Sequence, residues 1–179
     1  MNNHEAGQAL RPRALEGRVR LRDGSKVRVR PIRPTDAPRL QEMIERSDLR
    51  DIRMRFLHAM KHLPDQMAVR LSEIDYDRDM AFVAVAPGTR KLVGVSRLAA
   101  DPVGDSAEYA VFVRTDWKGR GLGRALMDRL IDYARGRELD ALYSEVLAEN
   151  DRMLRMCREL GFRIEHAAEA HIRKVVLAL

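Results

Sequence analysis

The segment that decides the fold of this chain is residues 113–124, which read VRTDWKGRGLGR. The residues before it, 107–113, are mostly apolar and predict a strand, whereas those after it carry apolar side chains at helical spacing. Glycines at 119, 121 and 123 therefore form the connection between a strand and a long helix. Glycine tolerates positive φ angles and lets the backbone approach a ligand closely.

The helix that follows these glycines offers an anion-binding site. Its first N–H groups have no partner within the helix, and the positive end of the helix dipole favours phosphate. Lys118, Arg120 and Arg124 add positive charge at the same place. The spacing differs from the dinucleotide fingerprint, because Gly123 follows Gly121 by two residues rather than three. A glycine-rich connection without a ligand is the alternative, but three glycines and three cations at one helix start favour phosphate binding.

Outward from this turn, the sequence predicts a mixed α/β domain. The predicted order is a strand, several helices, three antiparallel strands, the long helix, a strand, a helix and two closing strands. We expect strands over 27–32, 80–86, 92–100, 107–113, 142–147, 163–168 and 170–177. We expect helices over 34–45, 50–60, 64–74 and 150–160, the first capped by Thr35 or Asp36 and the last ended by Gly161. The long helix follows the turn at 119–123 and is expected to end near residues 135–136.

The composition is that of a single folded domain. The chain has 179 residues, of which 45% are hydrophobic and 34% charged, so it is neither a disordered tail nor a membrane protein. No apolar run approaches the roughly 20 residues of a membrane-spanning helix, and no secretory signal is visible at the N-terminus. The single cysteine excludes a disulfide framework and fits a reducing compartment. We therefore expect a cytoplasmic protein.

The net charge of +6 is concentrated at the N-terminus. Residues 1–34 hold nine basic and three acidic residues, whereas the rest of the chain holds 24 of each. We expect residues 1–25 to form a basic, flexible leader and residues 26–179 to form the domain. Such a leader could bind RNA, a phospholipid surface or an acidic partner. A solvated leader is the favoured interpretation, and neither nucleic acid nor a membrane is an expected partner.

Residues 118–123 resemble motif A of the GNAT (Gcn5-related) N-acetyltransferases, Gln/Arg-x-x-Gly-x-Gly/Ala. Lys118 takes the Gln/Arg position and keeps its positive charge. The resemblance implies a central, mostly antiparallel, twisted sheet of about seven strands with helices on both faces. It also implies acetyl-CoA as co-substrate and no metal, with turn N–H groups on the pyrophosphate and the preceding strand along the pantetheine arm. The cofactor-binding residues expected on this basis are Phe112, Val113, Lys118, Gly119, Arg120, Gly121, Leu122, Gly123, Arg124 and Asn150.

Further segments are similar to the acetyltransferase domain of bacterial Pat-type protein lysine acetyltransferases. The segment from Asn150 to Phe162 resembles the Asn-x-x-Ala…Gly-Phe motif of the superfamily, and runs at 74–81, 107–111 and 130–135 resemble the Pat type. This resemblance covers about residues 27–177 and implies a protein lysine as acceptor. Pat-type enzymes typically carry this domain after one resembling an acyl-CoA synthetase, which this sequence does not contain. An acyl-CoA synthetase is nevertheless one candidate protein partner.

Glu108 is the candidate catalytic base. It interrupts an apolar strand that we expect to be covered on both faces, and burial of a carboxylate favours its protonated form, as base catalysis near neutral pH requires. In Pat-type enzymes the glutamate of the Ala-Glu-Tyr/Phe-Ala segment is the base, and Glu108 matches it. The resemblance further implies direct attack by the amine, with N–H groups near Val113 stabilising the oxyanion. The alternative is a glutamate at a strand entrance that reaches water.

The resemblance leaves the general acid open. The superfamily often uses a tyrosine seven residues after the motif asparagine, and that position here is Cys157. A thiol could donate a proton, although a lone small cysteine on a helix is more often a core residue. Asn150 fits both an N-cap and a contact to the cofactor arm. Trp117 is expected to pack the turn against the sheet.

Histidines and acidic residues elsewhere have a weaker functional interpretation. His58 and His62 lie four residues apart on a predicted helix, but no third ligand accompanies them, so we expect no metal site. His166 and His171 could line an acceptor groove, although solvent or the core is the more frequent place. The acidic run over residues 73–79 could attract a cationic lysine, and a solvated loop is the alternative.

The predicted function is the transfer of an acetyl group from acetyl-CoA to a primary amine. The favoured acceptor is a protein lysine, with a small-molecule amine such as a polyamine or antibiotic as the alternative. A non-catalytic module that senses acyl-CoA is a second alternative. Replacing Glu108 with Gln distinguishes them, because only the enzyme loses an activity while still binding the cofactor.

Overall fold

A computed structural model describes residues 15–102 and 105–179 of the chain, and its centre is an eight-stranded sheet. The sheet has the order β1-β2-β3-β4-β5-β6-β8-β7, and every neighbouring pair is antiparallel except β5 and β6. The seven predicted strands are present, and β1 is an additional one. The strands are β1 (Gly17–Arg20), β2 (Lys26–Pro31), β3 (Asp79–Val85), β4 (Leu92–Ala100), β5 (Ser106–Val113), β6 (Ala141–Leu147), β7 (Arg163–His166) and β8 (Ile172–Ala178).

Within the described ranges, five α-helices cover the two faces of the sheet, as the mixed α/β prediction requires. They are α1 (Ala37–Glu45), α2 (Leu49–Phe56), α3 (Asp65–Ser72), α4 (Leu122–Gly136) and α5 (Asp151–Glu159). The first three pack on one face around a core that includes Ile44 and Phe112, and the last two pack on the other around Leu126 and Leu154. Among the described residues, no helix combines the length and the apolar character needed to cross a bilayer.

Residues 1–25 were expected to form a flexible leader, but part of this segment is a strand of the sheet. Residues 17–20 form β1, and the turn at Asp23 and Gly24 folds it back against β2. Arg18 and Arg20 alternate with Val19, which packs against the core, and Leu21 is 5% exposed. This alternation predicts an edge strand, but the high density of arginines favoured a solvated leader. Residues 1–14 lie outside the described part of the chain.

The sheet opens between β5 and β6, which positions the site described below. Their parallel pairing extends only over Ser106–Glu108 and Ala141–Tyr143. Beyond Glu108, β5 continues to Val113 with β4 as its neighbour, whereas β6 continues to Leu147 with β8. In the part of the chain described, the β6-facing edge of β5 from 109 to 113 has no paired strand. Its backbone groups on that edge therefore face the opening.

Helix α4 is held against the centre of the sheet by a close approach at β4. A Cβ atom at Gly94 would lie 2.9 Å from Cδ1 of Leu126, so only glycine fits there without a shift. The hydroxyl of Ser96 donates a hydrogen bond to the carbonyl of Leu126 at 3.1 Å, and this bond sets the position of the helix along its own axis. The N-terminus of α4 is thereby placed at the wide end of the opening between β5 and β6.

Candidate active site

A cleft of about 1150 Å³ occupies the opening between β5 and β6. Its walls are the inner edge of β5, the turn before α4, the start of α5, and α2, which lies across the mouth. Phe112 and Val113, which the sequence assigns to the cofactor arm, line the cleft and are 5% and 9% exposed. The predicted turn residues line it as well, except for Arg120. The structure therefore brings most of the expected site residues into one continuous cleft.

The glycine-rich turn has the backbone geometry expected of an anion-binding turn. Gly119 and Gly121 have φ angles of 81° and 88°, a region that side chains other than glycine rarely adopt. Gly121 is the N-cap of α4, and no side chain caps the helix, so its first N–H groups remain available to a ligand. Leu122 is 1% exposed and anchors this first turn in the core. A pyrophosphate fits the backbone of this turn.

The three cations expected around the turn are engaged by carboxylates of the protein. The ammonium of Lys118 lies 2.5 Å from a carboxylate oxygen of Asp51. Arg120 pairs with Asp23 at 3.1 Å, and its guanidinium lies 4.5 Å from the ring centroid of Trp117. Arg124 pairs with Asp128 one helical turn later at 2.9 Å. The three cations surround the turn as expected, and these carboxylates balance part of their charge.

Two arginines that the sequence did not single out approach the same glycines. The side chain of Arg22 lies 3.4 Å from the position that a Cβ would take at Gly121, and that of Arg152 lies 3.8 Å from the equivalent position at Gly119. The N–H of Arg22 donates to the carbonyl of Arg120 at 2.9 Å, which docks the β1–β2 hairpin on the turn. Within the described residues, neither guanidinium forms an ion pair with a carboxylate. Both side chains therefore add positive charge beside the turn.

Glu108 lies in the cleft but is exposed, so the expected burial on both faces is wrong. The reason is the geometry of the sheet: Glu108 is the last residue of β5 paired with β6, and the strands part immediately after it. It faces the α1–α3 side of the sheet, as does Phe112 four residues later. Its carboxylate is thus accessible to a molecule that enters the cleft.

Basic and phenolic groups surround Glu108, and the sequence did not indicate them. Burial lowers the pKa of Arg55 to about 10, with the charge of Arg97 adding to the effect and that of Glu108 opposing it. Burial also lowers the pKa of Arg97, against the charge of Asp79. Residue 143 lies opposite Glu108 in the register, and the Tyr143 hydroxyl donates to Asp101 at 2.6 Å, which raises its pKa to about 12. The strand register brings Arg97 and Tyr143 close to Glu108, and the position of α2 adds Arg55.

Asn150 has the first of its two expected roles, that of N-cap of helix α5. The Asn150 side chain accepts a hydrogen bond from the N–H of Met153 at 3.2 Å and so caps the helix, and the residue also lines the cleft. Cys157 is fully buried, as a core cysteine is. Its sulfur lies 3.2 Å from the hydroxyl of Tyr109, and burial raises the pKa values of both groups. Cys157, which occupies the position of the general-acid tyrosine of the superfamily, is therefore a core residue in this chain.

The remaining candidates lie at the surface. His58, His62, His166 and His171 are exposed, and the residues described contain no group of three metal-ligating side chains. His58 lines the mouth of the cleft. In the acidic run, residues 73, 75 and 77 are exposed, and Asp79 is half-buried. The exposed histidines lie in loops except His166, which ends β7, and the acidic run leads from a loop into β3 at Asp79.

Helix α2 is fixed at both sides of the cleft. Asp51 holds Lys118 and also accepts a hydrogen bond from the hydroxyl of Thr115 at 2.7 Å. These partners lower the pKa of Asp51 below its ordinary value, although burial alone would raise it. On the other side, Arg53 forms an ion pair with Glu149 in the β6–α5 connection. The helix therefore spans the mouth from the glycine-rich turn to the start of α5.

Comparison with known proteins places this architecture among known enzymes. A family model described as the acetyltransferase (GNAT) family matches residues 46–162. Acetyltransferase PA5475 of Pseudomonas aeruginosa is 38% identical over 79% of this chain and 77% of its own length. The crystal structure of the GNAT domain of S. lividans PAT has a TM-score of 0.87 and 26% identity, with coverage of 94% of this chain and 99% of that one.

A second solved structure is similar in fold and was determined with coenzyme A. It is RimL, a ribosomal L7/L12 alpha-N-protein acetyltransferase, with a TM-score of 0.70, 12% identity and coverage of 86% and 94% of the two chains. These similarities agree with the two structural features described above, which are the cleft between β5 and β6 and the glycine-rich turn at α4. This chain belongs to the GNAT acetyltransferase family and is an acyl-CoA-dependent N-acetyltransferase with the GNAT fold.

Proposed function

We propose that the acceptor is the side-chain amine of a protein lysine and that Glu108 is the general base. The observation that carries this proposal is the place of Glu108, exposed in the cleft at the point where β5 leaves β6. An amine entering from the mouth meets this carboxylate beside the edge of β5. The similarity to the GNAT domain of S. lividans PAT and the Pat-type sequence runs support a lysine acceptor.

The chemistry requires such a base because a lysine amine is almost entirely protonated at neutral pH. With an ordinary pKa of about 10.4, roughly one lysine in a few thousand is neutral at pH 7. In the proposed reaction the ammonium gives a proton to Glu108, directly or through water. The neutral nitrogen then bonds to the thioester carbonyl carbon, and the carbon–sulfur bond breaks. Coenzyme A leaves as a thiolate and takes up the second proton of the attacking nitrogen, directly or through water. N–H groups near Val113, on the unpaired edge of β5, stabilise the oxyanion.

The proposed acetyl-CoA site follows the cleft from the turn to the edge of β5. N–H groups between Gly119 and Arg124 hold the pyrophosphate at the N-terminus of α4. The pantetheine arm runs along Phe112 and Val113, with Asn150 on the opposite wall. We add Arg22 and Arg152 to this site, because both lie against the turn without an ion pair in the described part of the chain.

Replacing Glu108 with Gln tests the proposal. The substitution removes the proton acceptor while preserving the size of the side chain, so we expect kcat for lysine peptides to fall about 10²- to 10⁴-fold. Thiol release from acetyl-CoA measures turnover. The fluorescence of Trp117, the single tryptophan, should report unchanged acetyl-CoA binding because it lies beside the turn. An exposed glutamate outside the cleft, Glu45, provides the matched control E45Q.

The results separate the alternative functions. Full activity of E108Q would contradict the role of Glu108 as base. Binding of acetyl-CoA without transfer to any lysine peptide or small amine would favour an acyl-CoA-sensing module. Turnover with a polyamine or antibiotic but not with peptides would favour a small-molecule acceptor. Incubation with a deacetylated lysate, read by mass spectrometry, should reveal modified lysines, and those of acyl-CoA synthetases are the first to inspect.

A further inference from the structure

Arg55 is a cleft arginine on the acceptor side, near Glu108, that forms no ion pair with the described residues. It lies on α2 one helical turn after Asp51, and both residues line the cleft. In the part of the chain that the structure describes, its guanidinium donates no hydrogen bond and forms no ion pair. Its nearest defined contact is the ring of Phe56, whose centroid is 4.8 Å away. A guanidinium carries five N–H donors, so this side chain has unused donors at the cleft wall.

The electrostatic surroundings of Arg55 favour an additional anion. Glu108 attracts it, whereas Arg97 repels it. Arg97 lies on the same face of the sheet, opposite Ala110 in the register, and has Asp79 as a balancing charge. Desolvation of Arg55 makes the absence of a partner unfavourable. The base is therefore flanked by two cations, and a simple ammonium that approaches Glu108 also approaches them.

We propose that Arg55 binds a carboxylate of the acceptor, so that the preferred acceptor is an amine with a carboxylate close to the reacting nitrogen. The planar guanidinium fork matches a carboxylate with two parallel hydrogen bonds. The acceptor's anion then cancels the repulsion between its ammonium and the arginines, while Glu108 remains free to take the proton. This inference rests on the proposed role of Glu108 as base. A carboxylate beside a protein lysine specifies the acceptor proposed above, whereas the carboxylate of a free amino acid replaces the lysine with a small-molecule acceptor.

Two sources could supply this carboxylate, and the experiment separates them. An aspartate or glutamate next to the modified lysine is the first source, and the carboxylate of a free amino acid is the second. The probes are lysine peptides that differ only by Glu or Gln beside the lysine, and L-methionine compared with its amide. We expect kcat/KM to be about 10- to 100-fold higher for the carboxylate member of at least one pair, as suits a charge-assisted hydrogen bond.

The variants R55Q and R55K test whether Arg55 produces the preference. R55Q should remove it, because KM should rise much more for the carboxylate member than for the neutral member. R55K keeps the charge but loses the bidentate geometry, so part of the preference should remain. Arg70 is an exposed arginine on α3 outside the cleft, and R70Q should keep the full preference.

Each outcome of this experiment has a distinct meaning. Equal turnover of both members of each pair by the wild type overturns the inference and leaves the proposed function intact. A preference that survives in R55Q overturns the assignment to Arg55. No turnover with any acceptor, while acetyl-CoA still binds, overturns the proposed function and the inference together.

Discussion

At the scale of single residues, the strongest electrostatic contact of the core is the buried pair of Arg30 and Asp36. Asp36 is fully buried and accepts two hydrogen bonds from Arg30, at 2.7 and 2.8 Å. It also accepts from the N–H of Arg33 and from the guanidinium of Arg39, each at 2.9 Å. Burial alone would raise the pKa of Asp36, but these donors lower it below its ordinary value. The residue expected to cap α1 thus neutralises a buried arginine instead.

Replacing Asp36 with Asn should lower the free energy of unfolding by about 3–5 kcal/mol, because Arg30 then keeps a buried charge without an anion. The effect should depend on pH. A carboxylate with a lowered native pKa stabilises the fold above its unfolded value of about 4, and this contribution disappears as the pH falls through the native value. Urea unfolding should therefore show a constant difference from wild type at pH 6–8 that narrows below about pH 4.

The control for this prediction is D128N, which removes an exposed ion pair with Arg124. We expect it to change the free energy of unfolding by less than about 1 kcal/mol. A D36N difference that stays constant down to pH 2 would refute the linkage to the Asp36 carboxylate.

Residue roles were predictable where they depend on local sequence. Asn150 caps the helix that begins at the next residue, and Gly119 and Gly121 adopt the positive φ angles that a glycine-rich turn implies. Roles that depend on partners distant in the sequence could not be predicted. The exposure of Glu108 depends on where β5 and β6 part, and the environment of Arg55 depends on strand register.

At the scale of elements, α2 connects the glycine-rich turn to the surroundings of Glu108. Asp51 contacts Lys118 at the turn, and Arg55 lies four residues later on the same helix face, beside the base. An anion that attracts Lys118 competes with Asp51 for it. Binding at the turn is therefore expected to alter the position of α2, and with it the acceptor side of the cleft.

The variant D51N tests whether α2 connects the glycine-rich turn to the acceptor side of the cleft. Removing the carboxylate frees Lys118, so we expect acetyl-CoA to bind about three- to tenfold more tightly at low salt, as measured by Trp117 fluorescence. The same change loosens α2 from the turn, so KM for the acceptor should rise. D128N is the matched control, since it frees Arg124 while leaving α2 in place. Equal effects of the two substitutions on acceptor KM would contradict the connection through α2.

Element boundaries illustrate what a sequence pattern can specify. The predicted and observed bounds of β4 and of the end of α4 agree, because long periodic segments end at clear turns. Helices α2 and α3 are shorter than predicted, and α2 ends at Leu57, which has a φ angle of 63°. The alternation in β1 was present in the sequence, but its role depends on an edge of β2 that only the assembled sheet provides.

At the scale of the whole molecule, the sheet consists of two parts joined at one end. One part contains β1–β5 and the other contains β6, β8 and β7, and three residue pairs between β5 and β6 connect them. Helices pack on both faces of the two parts. Helix α2 contacts the segment that follows β5 through Asp51 and the segment that follows β6 through Arg53. A molecule that fills the cleft contacts the turn and β5 on one side and α5 on the other. Its binding therefore adds contacts where the sheet itself has fewest.

This arrangement predicts a marked stabilisation by acetyl-CoA. At a ligand concentration of 100 times Kd, binding to the folded state contributes about 2.7 kcal/mol, which corresponds to a rise in Tm of about 5–10 °C for a chain of this size. Hydrogen exchange should slow more than in β2 and β3 at two places: at the N–H groups of residues 109–113 on the cleft edge of β5, and at residues 119–124 of the turn. E108Q should show the same rise in Tm, because Glu108 is proposed to act on the acceptor. A rise confined to the wild type would instead assign Glu108 to cofactor binding, and protection spread evenly over all strands would contradict a ligand held between β5 and β6.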